Sequence, residues 1–305
     1  MKVYAEHQKL ASYLRAENIS GIDFVEDPSI AEYQLTGSYD ESKYTPSLKG
    51  IIIPWTGHNG INLSDMRKRN LELYITPTRS RYVAEKAVTL TLALLGRTVE
   101  YHTNLQQGNW SARNSDKRVP WTSILDLKVG LFGYGRIGRL VHQFLSGFGC
   151  ELFTLERSKS YPKTIKTVKT LPELVSICDV IIISAPLNET TEGVFDAKIL
   201  SGMSDKYLIN VGRGKIVDEE ALYHALKNNI LAGYASDVWY TYPKGKDIQL
   251  PSKFPIHELS NALMSNHSGG FTKQTNDEVN RDIKALLIKL RDGHTEDQLD
   301  LTTLL

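Results

Sequence analysis

The stretch Val129-Gly-Leu-Phe-Gly-Tyr-Gly-Arg-Ile-Gly138 constrains this chain more than any other. Val129 to Phe132 is apolar and short, as a buried strand should be. Gly133, Gly135 and Gly138 follow in the spacing G-x-G-x-x-G. Arg139 to Ser146 then reads as a helix, which Gly147 and Gly149 end. Strand, glycine turn and helix in this order are the context in which the spacing binds a dinucleotide. The first glycine permits a tight turn, the second lets a pyrophosphate approach the backbone, and the third lets helix and strand pack closely. The helix N-terminus supplies free N–H groups for the phosphates, and Arg136 and Ile137 within the turn are expected at the cofactor.

A second strand, Glu151 to Leu155, ends at Glu156, which lies 18 residues after Gly138. A carboxylate there suits the ribose 2′-hydroxyl of NAD and repels the 2′-phosphate of NADP. NAD is therefore the expected cofactor, with Arg157 next door as a partial counterweight. A glycine turn in some other α/β protein would explain the three glycines but not the ordered strand, helix, strand and acid.

The chain has 305 residues, enough for two domains with separate cores. Its charges nearly cancel, at +1, so neither a nucleic acid nor a membrane surface is expected as a partner. No apolar run approaches the length of a bilayer span, and the start, Met1-Lys-Val-Tyr-Ala-Glu, has no signal-peptide core. Cys150 and Cys178 lack metal-type spacing and adjoin apolar runs. Buried thiols in a reducing cytoplasm, and no metal, are the expectation.

Lys2–Ala5, Asp23–Glu26, Tyr33–Thr36, Gly50–Pro54 and Leu71–Thr76 read as strands, alternating with amphipathic segments such as His7–Glu17 and Ser64–Arg69. One long, largely apolar helix is expected between Tyr82 and Gln107, ended by Gly108. Further strands are expected at Val180–Ser184, Tyr207–Asn210 and Gly233–Trp239. Helices are expected from Asp218 to Asn228 and from about Thr272 to Arg291. The alternation predicts an α/β fold with parallel sheets.

The ordered motifs resemble the D-isomer-specific 2-hydroxyacid dehydrogenase family. They are Val83-Ala-Glu85, the glycine turn with Glu156, Cys178-Asp-Val-Ile-Ile-Ile-Ser-Ala-Pro-Leu187, Leu208-Ile-Asn-Val-Gly-Arg-Gly214, Asp237-Val-Trp239 and His267-Ser-Gly-Gly270. The resemblance implies a doubly wound Rossmann coenzyme domain, residues 98–271. That domain is inserted into a smaller, flavodoxin-like α/β substrate domain of residues 1–97 and 272–305, with the active site in the cleft between them. It also implies a homodimer and a 2-oxo or 2-hydroxy acid as the small-molecule substrate.

Residue by residue, Arg213 matches the family's carboxylate-binding arginine, and the glycines around it are expected to leave space for a ligand. His267 matches the acid/base, whose unperturbed pKa suits proton transfer near neutrality. Ala185, Pro186, Val211, Gly212, Asp237 and Gly269 match positions around the cofactor. Thr56 and Gly57 fall where the substrate loop should lie, with His58 and Trp55 shaping it.

The chain departs from the family at two places. The usual glutamate 29 residues after the arginine is Tyr242 here, followed by Pro243. A phenol can hydrogen-bond an imidazole but cannot stabilise imidazolium as an anion does, so a lower His267 pKa is expected. Glu258 is a candidate replacement. Formate dehydrogenases also lack that glutamate, but they hold formate with an asparagine four residues before Val-Ala-Glu. That position is Arg79 here, with Arg81 nearby, which suits a larger or doubly anionic substrate. A sensor that binds NAD(H) with little chemistry is the reading from another class.

Overall fold

The computed structural model describes residues 1–38, 40–55, 57, 60–113, 120–157, 160–245 and 248–301. They form two compact units, Met1–Ser80 with Gly270–Leu305, and Arg81–Gly269.

The first unit carries strands β1 (Lys2–Ala5), β2 (Asp23–Val25), β3 (Tyr33–Leu35), β4 (Gly50–Ile53) and β5 (Glu72–Ile75). They form one sheet in the order β2-β1-β3-β4-β5, with every pair parallel. Parallel strands covered on both faces read as unbroken apolar runs, and Gly-Ile-Ile-Ile of β4 is buried throughout. On one face Val3, Leu35, Ile52 and Tyr74 pack with Leu10 and Leu14, and with Val279, Ile283 and Leu287 of the final helix, Thr275–Arg291. On the other, Ile51, Ile53 and Leu73 pack with Leu63, Met66 and Leu301. The segment after the final helix is tied down at Leu301, whose carbonyl accepts from Arg67 Nη2 at 2.8 Å.

The second unit carries β6 (Lys128–Phe132), β7 (Glu151–Leu155), β8 (Lys166–Val168), β9 (Val180–Ile183), β10 (Lys206–Asn210), β11 (Leu231–Ser236) and β12 (Ala262–Met264). Their order is β12-β11-β10-β9-β6-β7-β8, again with every pair parallel. This is the doubly wound arrangement, in which the chain reverses direction across the sheet between β6 and β9. Ligands of such sheets bind outside the carboxyl ends of the strands at that reversal.

Two expectations need correction. The long helix is broken into Arg79–Leu95 and Thr98–Gln106. Between them lie Gly96 and Arg97, and Arg97 takes a left-handed conformation (φ 49°) that no helix can run through. The division between units falls after Ser80 and not at 97. The physical reason is packing: Ala84, Ala87, Leu90 and Leu95 join Val129, Leu131, Val180 and Ile182 in one apolar cluster. The free thiols of Cys150 and Cys178 are buried, and burial pushes the Cys178 thiol up to about 12.

Candidate active site

The glycine turn follows β6 directly. Gly133 has φ +107°, and a Cβ there would lie 2.5 Å from the Ala185 nitrogen. A Cβ on Gly138 would lie 2.1 Å from the Gly133 oxygen. Both glycines are therefore required by the protein's own backbone. Ser184 fastens the turn, its hydroxyl donating to the Gly133 carbonyl at 2.9 Å. Gly135 differs, because a Cβ there would meet nothing within 4 Å. It is the N-cap of the helix Arg136–Leu145, which starts three residues earlier than the sequence suggests, and no side chain caps it. The first N–H groups, at Arg136 and Ile137, are left for an outside acceptor. A cavity of about 290 Å³ adjoins the turn, lined by Gly133, Gly135, Arg157, Tyr161, Ala185 and Pro186 among others. A bare backbone, an uncapped helix start and a cavity are what a pyrophosphate-containing cofactor requires.

Glu156 follows β7 and is exposed, and its backbone N–H donates to Val168 at 2.8 Å. Tyr161 holds this strand end. Its hydroxyl donates to the Leu155 carbonyl (3.0 Å) and accepts from the Arg157 N–H (2.7 Å). Tyr161 was not legible as a site residue, since a tyrosine in a polar loop gives no local signal.

The carboxyl ends of β10, β11 and β12 bring the remaining groups together. Asn210, fully buried at the end of β10, accepts from the Gly212 N–H (3.0 Å) and donates to the Arg213 carbonyl (2.9 Å). A buried amide closing an apolar strand is the signal that would have found it. The glycines beside Arg213 serve packing and not ligand space. A Cβ on Gly212 would lie 2.7 Å from the Ala185 oxygen, and one on Gly214 would lie 2.4 Å from the Trp239 oxygen. Val211 is buried among the core residues. The Arg213 guanidinium donates from Nη1 to the Gly212 carbonyl at 2.7 Å, and burial lowers its pKa from the usual value.

His267 adopts φ +58°, an uncommon conformation for a residue with a side chain. Asp237 holds it there, since its two carboxylate oxygens accept from the backbone N–H groups of Ser268 (3.0 Å) and Gly269 (2.8 Å). A Cβ on Gly269 would sit 2.8 Å from that carboxylate. The His267 pKa is lowered, first by desolvation and then by the Arg213 charge, while the Asp237 charge opposes the drop. The ring keeps an exposed surface, which tempers the desolvation.

Tyr242 packs its ring against His267, with centroids 5.3 Å apart at 48°. Its hydroxyl, however, accepts from the Trp239 N–H at 2.9 Å. The phenol thus meets the imidazole through a ring contact, while its hydroxyl serves the Trp239 backbone. The Glu258 carboxylate is exposed and lies 3.7 Å from the neighbouring His257 ring. In the first unit Gly57 is half-buried, whereas Thr56 and His58 lie outside the described residues. Arg79 lies in that unit with Trp55 and Phe271.

Against known proteins, the family model "D-isomer specific 2-hydroxyacid dehydrogenase, NAD binding domain" matches residues 88–269. The chain belongs to this family. It therefore carries an NAD-binding domain, and the sheet of the second unit is its Rossmann fold. A formate dehydrogenase of Arabidopsis thaliana is 30% identical over 240 residues, covering 75% of this chain and 60% of the relative. The D-3-phosphoglycerate dehydrogenase of Escherichia coli is 28% identical over 308 residues, covering 94% and 73%. Among solved structures, the NAD-dependent formate dehydrogenase of Staphylococcus aureus in complex with NAD superposes with a TM-score of 0.78 at 27% identity, covering 98% of this chain and 99% of that one. The chain spans about three-fifths of the length of the formate dehydrogenases that it matches.

Proposed function

We propose that the protein is an NAD(H)-dependent oxidoreductase that interconverts a 2-oxo acid and a D-2-hydroxy acid. One observation carries this reading. The glycine turn, Glu156, Arg213, Asp237 and His267 all follow carboxyl ends of strands in one parallel sheet, where such sheets bind ligands.

The bound nicotinamide supplies or accepts the hydride. The chain's residues do the rest. Arg213 grips the carboxylate, its planar fork matched to two oxygens and its charge assured. His267 gives a proton to the carbonyl oxygen during reduction and takes it back during oxidation. Asp237 fixes the His267 turn and is the remaining carboxylate that favours imidazolium. Tyr242 covers the imidazole and adds no charge. Reduction is therefore favoured by acid, because the protonated His267 that it needs becomes scarce above its lowered pKa. Oxidation is less affected, since it needs the neutral base.

The Glu156 carboxylate supports a preference for NAD over NADP. The two buried free thiols suit a reducing, cytoplasmic setting. Val99, Leu105, Trp110, Trp121 and Leu125 are exposed, and a cavity of about 480 Å³ lies among Leu105, Trp110 and Trp121. This apolar surface supports a homodimer, which light scattering would detect as twice the chain mass.

Formate oxidation is a second reading, favoured by Tyr242, because that reaction releases no proton to a base. The test is NADH oxidation with 2-oxo acids, run beside NAD reduction with formate. Turnover of 2-oxo acids supports the proposal. Turnover of formate alone selects the second reading, and NADH binding without any turnover selects a sensor.

A further inference from the structure

Arg79 is a half-buried cation of the first unit. Its guanidinium lies 4.9 Å from the Phe271 ring centroid and 5.9 Å from that of Trp55. Its Nε is buried and finds no hydrogen-bond partner among the described residues. Desolvation lowers its pKa, and no carboxylate among the described residues offsets this. The first unit makes room for this arrangement. A Cβ on Gly270 would lie 3.2 Å from Arg79 Cδ, so a larger residue would press on the side-chain stem. His7 in turn packs on Trp55, with ring centroids 5.6 Å apart. A charge taken partly out of water without a counter-ion is costly. Aromatic faces orient a guanidinium and return part of that cost, but they do not satisfy its N–H groups.

We infer that Arg79, held between Trp55 and Phe271, is an oxyanion receptor of the first unit. Its ligand is a carboxylate, phosphate or phosphonate group. The planar fork donates to two oxygens at once, and its ring contacts fix its direction before the anion arrives. The inference concerns anion binding and stands whether or not the protein turns over a 2-oxo acid. Two sources carry this chemistry: the second anionic group of a substrate, or a separate small anion.

The test is thermal unfolding of the whole protein in an anion-poor buffer, with inorganic phosphate, methylphosphonate or malonate added, and sodium chloride as the ionic-strength control. The wild type should gain Tm with each oxyanion beyond the chloride control. Arg79→Met should lose that gain, with at least about tenfold weaker binding. Without added anion it should unfold no lower than the wild type, because an uncompensated charge has been removed. Arg79→Lys, which keeps the charge and loses the fork, should recover only part of the binding. An equal oxyanion response in wild type and Arg79→Met would overturn the inference. So would a large loss of stability in both variants without anion, since Arg79 would then be a structural cation. Kinetics separate the sources. Phosphate that competes with a doubly anionic 2-oxo acid, and an Arg79→Met effect on KM confined to such acids, point to the substrate. Phosphate binding without competition points to a separate anion.

Discussion

The glycine turn after β6 and the His267 loop after β12 lie in one unit, yet they are built by different means. The turn is made of backbone. Gly133 and Gly138 are fixed by contacts of 2.5 and 2.1 Å that any Cβ would make, so their chemistry leaves almost no choice of residue. The His267 loop is made of side chains on a backbone frame. Asp237 and Asn210 hold the frame, and within it a tyrosine occupies the position where the resemblance implies a glutamate. A steric requirement cannot be met by a substitute. An electrostatic one can be relaxed, at the expense of a shifted pKa.

The comparison is tested most severely at His267. If it is the proton donor, His267→Gln should lower 2-oxo acid reduction by about 10²–10⁴-fold in kcat. NADH affinity, measured by fluorescence, should stay within a few-fold, because the turn is untouched. Loss of both together would mean that the two regions are not independent.

Next in size are the two glycines of the turn, which should separate. Gly133→Ala combines a left-handed backbone cost of about 1–2 kcal/mol with a clash against Ala185. Its midpoint in urea should fall. Gly135→Ala meets open space, so stability should change by no more than about 0.5 kcal/mol. Its NADH dissociation constant should nevertheless rise at least about tenfold, as a methyl group enters the pyrophosphate approach. Equal NADH binding by wild type and Gly135→Ala would remove the turn's assignment.

A smaller effect is expected at Tyr242. Tyr242→Glu places an anion beside the imidazole and should raise the His267 pKa by about one unit. The pH profile of reduction should move by the same amount, for about tenfold faster turnover on its alkaline limb. An unmoved profile would mean that the carboxylate does not reach the ring from this position.

Much of this was legible in the sequence, for reasons that differ between elements. The central strands β4, β6 and β9 are buried on both faces, and their unbroken apolar runs announce it. The edge strands β8 and β12 have three residues each, too few for an alternation or an apolar run to stand out, so they were missed. The break at Gly96–Arg97 was hidden because apolar residues continue on both sides of it. At the site, residue type and order single out the glycine turn, Arg213 and His267 as candidates. What could not be read was where polar groups find partners. That the Tyr242 hydroxyl takes the Trp239 N–H, or that Asp237 clamps the His267 turn, depends on how three strand ends converge.

The most direct measurement follows deuterium from 4-deuterated NADH into product, across pH 5.5–8. The account predicts a D-2-hydroxy acid carrying one deuterium at C2, formed at a rate that rises as pH falls toward the lowered His267 pKa. Absence of labelled hydroxy acid from every 2-oxo acid offered, or a rate that rises with pH instead, would contradict it.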